Sequence, residues 1–220
     1  IFYFIYGADS VNLETSALES KNFVLPDKST ITLNSNTLIT YSKRNFDKNR
    51  SLKLLRGECF LEVVHNKSRP FSIRYKDLTI ADIGTAFNVK LSNNQVTVSV
   101  STGRVELKLE NTNHAIYLDA GESAAYLASI NKIQRSTIDN QNYKAYADHN
   151  FYFNNTSLSE VAVDLNNVFH QKIVLVGSKL STRRITAEFK NQTLENILQV
   201  ISKSLNIKTT TKNNVIYLND

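Results

Sequence analysis

The chain has little of several residues that mark particular protein classes. Its 220 residues include no methionine, one cysteine, two prolines and six glycines. The scarcity of proline and glycine argues against a disordered chain and against a collagen-like repeat. A single cysteine excludes an internal disulfide but leaves the compartment open, because oxidising spaces also hold proteins without disulfides. A hydrophobic content of 41% allows a sizeable core in one large or two small domains.

The sequence also lacks the usual signatures of catalysis. It contains no phosphate-binding loop, dinucleotide fingerprint, nucleophile elbow or zinc-protease helix motif. Cys59 alternates with Glu58 and Phe60 in a strand-like run, and we predict that it is a small buried hydrophobic residue. A catalytic thiol would need a cationic neighbour, and His65 stands at no spacing typical of a cysteine-hydrolase family. Glu58 and Glu62 are interpreted as outward-facing or as hydrogen-bonded to neighbouring backbone.

Metal sites and cofactor sites are not predicted either. The four histidines are scattered and lack the spacing of metal ligands. One of them, His170, stands at the end of a predicted helix, where the helix dipole favours a cation. We therefore predict that the chain is not an enzyme and that it binds no cofactor and no metal.

The positive charge is dispersed rather than concentrated. The net charge is +6, and the small basic clusters at residues 43–44, 48–56 and 183–184 have acidic residues between them. Nucleic-acid binders more often show a basic stripe with aromatic residues at base-stacking positions. We predict no nucleic-acid partner and interpret the basic surface as solvated or as a membrane-proximal face.

The chain opens on a short apolar run, residues 1–6. Six residues cannot cross a bilayer, which needs about 20. The run is either the outer end of a membrane helix or an ordinary first strand, and the sequence leaves both open. The missing methionine favours a fragment of a longer product, and no intact signal peptide is present.

Four strand-like runs, at residues 52–63, 78–89, 96–107 and 116–126, are each interrupted by one glycine. Such a glycine lets the chain bend or change strand. Alternation at Val96, Val98 and Val100 predicts one buried face and one solvated face. Residues 22–33 predict a hairpin. We therefore predict a mainly β domain at residues 22–127, as a solenoid-like stack of short strands or, alternatively, a sandwich.

The pattern changes after a polar segment at residues 128–149, which we interpret as a linker. Residues 1–21 are interpreted as a juxtamembrane end and a spacer. Residues 150–220 predict a small α+β domain in the order βαββαββ, with two helices on one face of a small mixed sheet. Its first helix begins with a capping box at Ser157 and Glu160 and ends near Phe169.

Six segments of the β region resemble FecR-type sigma-factor regulators in order and spacing. They are VLPDKSTITLN (24–34), GECFLEV (57–63), PFSI (70–73), IGTAFNV (83–89), VSVSTGRV (98–105) and LDAGE (118–122). Lys28 stands where the family usually has glycine, and Cys59 stands where a small residue is usual. The structural motif residues that carry the resemblance are Pro26, Asp27, Gly57, Glu58, Phe60, Gly84, Thr85, Phe87, Asn88, Val89, Gly103 and Gly121.

The last segment resembles the small domain that follows in the same family. The two strand-to-helix entries that carry it are FNNTSLSEV (153–161) and FKNQTLENI (189–197). That domain is similar to the short N-terminal signalling domain of secretins and TonB-dependent transporters. The resemblance covers about residues 22–220.

The resemblance implies a periplasmic part of a single-pass inner-membrane protein of a Gram-negative bacterium. An absent membrane helix would anchor it, and an absent cytoplasmic domain would restrain or assist an extracytoplasmic-function sigma factor. The signal would come from the signalling domain of a TonB-dependent outer-membrane transporter, docking on residues 150–220. It would then pass through the β region to the membrane helix, by reorientation or by exposing a stalk to proteolysis.

Docking is expected to add a strand to an exposed sheet edge, which offers unpaired backbone groups. Strand position and polarity select four candidate contact residues, which are Tyr152, Thr209, Thr211 and Tyr217. Two other classes stay open. A carbohydrate-binding β-scaffold would bind glycans, and a non-signalling periplasmic β-stalk would lack a cytoplasmic domain in its full-length gene.

Overall fold

The computed structural model describes residues 9–82, 84–110, 112, 114–177 and 179–220. The chain divides into two compact units, Ile1–Asp139 and Asn140–Asp220, called here the β unit and the C-terminal unit. The apolar run at residues 1–6 and Ile83 of the second glycine-interrupted run lie outside the described residues.

The described part of the β unit contains thirteen strands and one short helix, α1 (Phe46–Asn49). The strands are β1 (Ser10–Glu14), β2 (Lys21–Val24), β3 (Thr30–Leu33), β4 (Leu38–Ser42), β5 (Ser51–Glu62), β6 (Phe71–Tyr75), β7 (Leu78–Asp82), β8 (Ala86–Ser92), β9 (Gln95–Thr102), β10 (Arg104–Leu109), β11 (Ala115–Asp119), β12 (Ser123–Leu127) and β13 (Lys132–Ser136).

The long strand β5 belongs to two sheets. Its first half pairs with β4 and β6, and from there the first sheet runs in the order β1-β4-β5-β6-β7-β10-β11. Its second half pairs with β3 and β8, and the second sheet runs in the order β2-β3-β5-β8-β9-β12-β13. Apolar side chains of both sheets form one core. The arrangement is a sandwich close to a barrel. The predicted solenoid-like stack is therefore wrong, and the alternative prediction, a sandwich, is correct.

Each of the four predicted glycines lies at a place where the chain passes between the sheets. Gly57 lies within β5, and the other three lie between β7 and β8, between β9 and β10, and between β11 and β12. At Gly57 the φ angle is +87°, and a Cβ atom would lie 2.2 Å from Thr37 Oγ1. That hydroxyl accepts from Glu58 N at 2.9 Å and donates to Glu58 O at 3.1 Å. The prediction that glycine lets these strands bend is confirmed there.

The core follows the predicted alternation. Val96, Val98 and Val100 are fully buried, as are Phe71 and Phe87 from the two sheets. The predicted hairpin is also present, because β2 and β3 pair antiparallel.

Two strands lie where the sequence predicted connecting segments. β1 falls in the predicted spacer and pairs with β4, and β13 falls in the predicted linker and pairs with β12. Each has five residues and only one that is buried, so the hydrophobic signal is weak and their pairing depends on the neighbouring strand. The predicted segment boundaries after residues 21, 127 and 149 remain a proposal.

The C-terminal unit contains α2 (Ala145–Asp148), β14 (Asn150–Ser157), α3 (Leu158–Phe169), β15 (Lys172–Val176), a 3-10 helix (Leu180–Thr182), β16 (Arg184–Lys190), α4 (Leu194–Leu205), β17 (Lys208–Lys212) and β18 (Val215–Asn219). The capping box at Ser157 and Glu160 is present, and α3 ends at Phe169 as predicted.

The α+β class is correct for this unit, but its arrangement differs from the prediction. Within residues 150–220 a 3-10 helix adds to the plain βαββαββ order, and α2 lies in the segment predicted as a linker. The strands form two sheets, β14-β16 and β15-β18-β17, so the single mixed sheet is wrong. Because α3 contacts both β14 and β15, its buried face packs against both sheets. Aromatic side chains strengthen one side of this packing, with Phe151 stacked on Phe169 at 5.8 Å between ring centroids.

Candidate partner-binding surface

Cys59 is fully buried in the β unit. Burial raises the pKa of its thiol, and the neighbouring charge of Glu58 raises it further. The prediction of a small buried hydrophobic residue is therefore confirmed. A thiol held protonated at neutral pH has little thiolate to act as a nucleophile.

His170 is the residue that ends α3, with a left-handed φ angle of 54°. Its predicted place at a helix end is correct. Burial lowers the pKa of its imidazole, because desolvation disfavours the charged form. Within the described ranges, no group of three or more His, Cys, Asp or Glu residues is placed to hold a metal ion.

The Pro26–Asp27 turn is fixed to the rest of the β unit by a buried arginine. Lys28 has a φ angle of 71°, which suits the glycine usual in the resembling family. Asp27 accepts from the backbone and hydroxyl of Ser29 at 3.0 and 2.9 Å. Arg50, whose side chain is 2% exposed, donates to the same carboxylate, with an N–O distance of 2.6 Å. The motif carboxylate therefore closes a turn and neutralises a buried cation.

Glu58 is the centre of a second polar cluster. It is 9% exposed and accepts from Asn34 Nδ2 at 3.1 Å and from Asn88 Nδ2 at 2.9 Å. Lys90 Nζ lies 3.5 Å from Glu58 Oε2, the oxygen that also accepts from Asn34. The expectation that Glu58 faces outward or binds only backbone is wrong, because these side-chain amides hold it. Glu62 does lie on the exposed side and accepts from Thr30 Oγ1 at 2.9 Å.

The remaining motif residues lie in the core or beside the crossings. Phe87 and Val89 are fully buried, and Phe60 is 8% exposed. The backbone oxygen of Thr85 accepts from Val63 N at 3.0 Å. Gly103 is close to the Gly84–Thr85 bend, since a Cβ atom there would lie 2.4 Å from Gly84 O. Gly121 has open space around it. The assignment of the twelve structural motif residues to a family motif remains a proposal.

Strand β17 is the most open sheet edge that carries predicted contact residues. All five of its residues are exposed, and it pairs only with β18 in the described part of the chain. Thr209 and Thr211 therefore lie on an edge strand. Thr209 Oγ1 is 2.6 Å from Ser202 Oγ of α4, so these two threonines are on the helix side of the sheet.

Tyr217 lies on the opposite face of that sheet, next to Thr210. Leu218 is buried at 1% exposure and faces the helices, so the residues directly before and after it in β18, Tyr217 and Asn219, face away from the helices. The strand registers place nine residues on this outer face, which are Lys172, Val174, Val176, Lys208, Thr210, Lys212, Val215, Tyr217 and Asn219. We call them the outer face. It combines three lysines with an apolar centre, and none of the nine is acidic.

Sequence reasoning found only Tyr217 of this face. The alternation of Lys172, Val174 and Val176 in β15 was a usable signal for the rest of it. Tyr152 lies elsewhere, on β14 of the two-stranded sheet, and is 44% exposed. Its backbone N–H donates to Asn142 Oδ1 at 2.7 Å, and Asn142 in turn donates to Asp164. This part of the β14 edge is already occupied, so the four predicted contacts do not form one surface.

Comparisons with known proteins give the family. The family described as FecR protein matches residues 11–106, and the one described as FecR, C-terminal matches residues 150–218. No curated protein matches the chain. No helix in the described ranges is long and apolar enough to cross a membrane.

Two crystal structures, each of a proposed anti-sigma factor from Parabacteroides distasonis ATCC 8503, are similar to the chain. The first is 27% identical with a TM-score of 0.63 and covers 96% of this chain and 99% of its own. The second is 28% identical with a TM-score of 0.62 and covers 94% of this chain and 98% of its own. Since the two family matches together cover most of its length, the chain belongs to the FecR family, a family of anti-sigma regulators and not a known family of enzymes.

Proposed function

We propose that this chain is the periplasmic sensor part of a membrane-bound anti-sigma factor. It receives a signal from a TonB-dependent outer-membrane transporter and relays it to a cytoplasmic extracytoplasmic-function sigma factor, which controls transcription. Family membership and the two Parabacteroides distasonis structures support the sigma-factor end of this proposal. The sigma factor and the inner membrane are reached through parts of the protein outside this chain.

The observation that carries the receiving end is the free edge of β17. A strand with one unpaired edge offers N–H and C=O groups in a row, and an extended partner segment can bind to them as an additional strand. β17 is only five residues long, so a short partner strand is enough to cover it. The transporter's signalling domain is the proposed source of that strand.

The charge of the outer face defines the chemistry of the partner. Lys208 and Lys212 stand at the two ends of β17, and Lys172 stands at the start of β15. These three lysines have no ion pair among the described residues. A partner strand with acidic side chains and an apolar centre is therefore complementary to this face, and charge complementarity chiefly raises the association rate.

Calorimetric titration of the full chain with the N-terminal signalling domain of the transporter encoded beside it tests the proposal. Reversing two charges, Lys208→Glu with Lys212→Glu, is expected to weaken binding about tenfold or more, with a smaller effect at high salt. The control is Lys132→Glu on β13, an exposed lysine of the other unit, which is expected to leave the affinity unchanged.

Hydrogen exchange supplies the second readout. The amides of β17 exchange quickly in the free chain and slowly in the complex if a strand is added there. Binding without slower amide exchange in β17 would refute the β17 edge as the binding site. Another surface of the chain would then bind the signalling domain. If the chain and the signalling domain are both folded and do not bind each other, the transporter is refuted as the partner and the non-signalling stalk is favoured.

A further inference from the structure

A groove of about 420 Å³ lies on the first sheet of the β unit, where β1, β4, β5 and β6 meet. Three cations line it, which are Lys53, Arg74 and Lys76, together with five hydroxyl side chains and one carboxylate, Glu110. The register explains the grouping. Thr40, Lys53 and Arg74 are consecutive partners across β4, β5 and β6, so their side chains project on the same face.

One hydroxyl of the groove is unsatisfied. Thr40 is 8% exposed, and its Oγ1 atom has no hydrogen-bond partner in the part of the chain that the structure describes. Buried side-chain hydroxyls in native proteins are nearly always hydrogen-bonded, because an unpaired one is unfavourable. An unpaired hydroxyl in the wall of a polar groove is the arrangement expected of a site whose ligand supplies the missing partner.

The cations of the groove also retain free donors. Lys53 is exposed and has no ion pair among the described residues. The nearest carboxylate to Arg74 is Glu110, and the Nη1–Oε1 distance of 3.8 Å is too long for a hydrogen bond. Glu110 is instead hydrogen-bonded to Thr79 Oγ1 at 3.1 Å. Lys76 Nζ lies 3.4 Å from Asn94 Oδ1 and 5.3 Å from the centroid of the Tyr75 ring. Beside the groove, Asp9 accepts from Ser42 Oγ at 2.6 Å, so the local charge comes from three cations and two anions and is still positive.

We propose that this groove binds a small ligand that carries an oxyanion, either a carboxylate or a phosphate. The planar fork of Arg74 matches both anions, and Lys53 and Lys76 add charge on either side. The hydroxyl side chains and Glu110 are suited to hydroxyl groups on the rest of the ligand. A sugar acid, a sugar phosphate and free phosphate share this chemistry. The site is on the β unit and does not depend on the transporter proposal.

Calorimetric titration of the full chain with four probes tests the site and separates the sources. The probes are glucuronate, glucose 6-phosphate, inorganic phosphate and uncharged glucose. We expect saturable binding of the sugar anions with a dissociation constant of about 1 mM or tighter, weakened by added salt. Phosphate binding as tightly as the sugar phosphate would identify free phosphate as the ligand. Glucose binding as tightly as glucuronate would overturn the proposal.

Three substitutions assign the binding to this groove. Lys53→Gln and Arg74→Gln are each expected to weaken the binding of the sugar anions about tenfold. Thr40→Val removes the unpaired hydroxyl while keeping the shape, so it is expected to weaken binding without loss of stability. Lys132→Gln on β13 is the control and is expected to change nothing. Absence of saturable binding, or binding that survives both cation substitutions, would overturn the site.

Discussion

Removing the carboxylate of Asp27 is expected to destabilise the β unit by about 3–5 kcal/mol, the usual cost of breaking a buried ion pair. The side chain of Arg50 is 2% exposed, so its charge cannot be rehydrated without disturbing the fold. In Asp27→Ala the guanidinium keeps only two backbone partners, Arg69 O at 2.7 Å and Val64 O at 2.6 Å. Ser29 also loses the acceptor of its hydroxyl.

Urea unfolding followed by far-UV circular dichroism measures this loss. Tyrosine fluorescence is the second probe, because the chain has no tryptophan. Arg50→Met combined with Asp27→Ala removes the charge as well as its partner, and this double variant is expected to be more stable than Asp27→Ala alone. Asp139→Ala, at an exposed carboxylate, is the control and is expected to stay within about 0.5 kcal/mol of the parent. A loss below about 1 kcal/mol in Asp27→Ala would refute the reasoning.

Three further measurements test other parts of the structure. Gly57→Ala forces a Cβ atom against Thr37 at φ +87° and is expected to cost at least about 2 kcal/mol in urea unfolding, more than Gly121→Ala, which has the same φ angle and open space. Equal losses would contradict the close contact. Cys59 is expected to react with a thiol reagent only at the rate of unfolding, since its pKa is raised by burial; rapid labelling of the native chain would show an accessible thiol. The pKa of His170 is lowered by burial, so the unfolded chain binds more protons and stability is expected to fall as the pH drops below about 7.5. His170→Asn keeps the left-handed helix end and should remove this part of the pH dependence; an unchanged pH profile would assign it to other groups.

Local signals in the sequence predicted the local structure well. The glycine in each of four alternating runs predicted a bend, and each bend is where the chain changes sheet. Ser157 and Glu160 predicted the start of α3, because a capping box needs only residues three apart. Alternation at Val96, Val98 and Val100 predicted a buried strand face.

Long-range partners were not predictable from the same sequence. Arg50 looked like one member of a basic cluster, and only the fold brings Asp27, 23 residues away, to its side chain. For the same reason, the division of strands between two sheets was missed in the C-terminal unit and was only the alternative in the β unit. β15 and β18 are separated along the chain by two strands, α4 and a 3-10 helix, yet they pair in parallel. Contact surfaces were the least predictable part, since Tyr152 and Tyr217 look alike in sequence and lie in different sheets.

The double membership of β5 has a consequence for how the β unit responds to local disturbance. One strand is hydrogen-bonded to β4 and β6 at one end and to β3 and β8 at the other. Neither sheet can therefore open around β5 while the other keeps a complete ladder. Amides on both sides of Gly57 should exchange with solvent through the same cooperative opening, with one shared free energy. The β unit behaves in this respect as a single mechanical element, and a strain applied to either sheet is carried by the covalent backbone of β5 into the other.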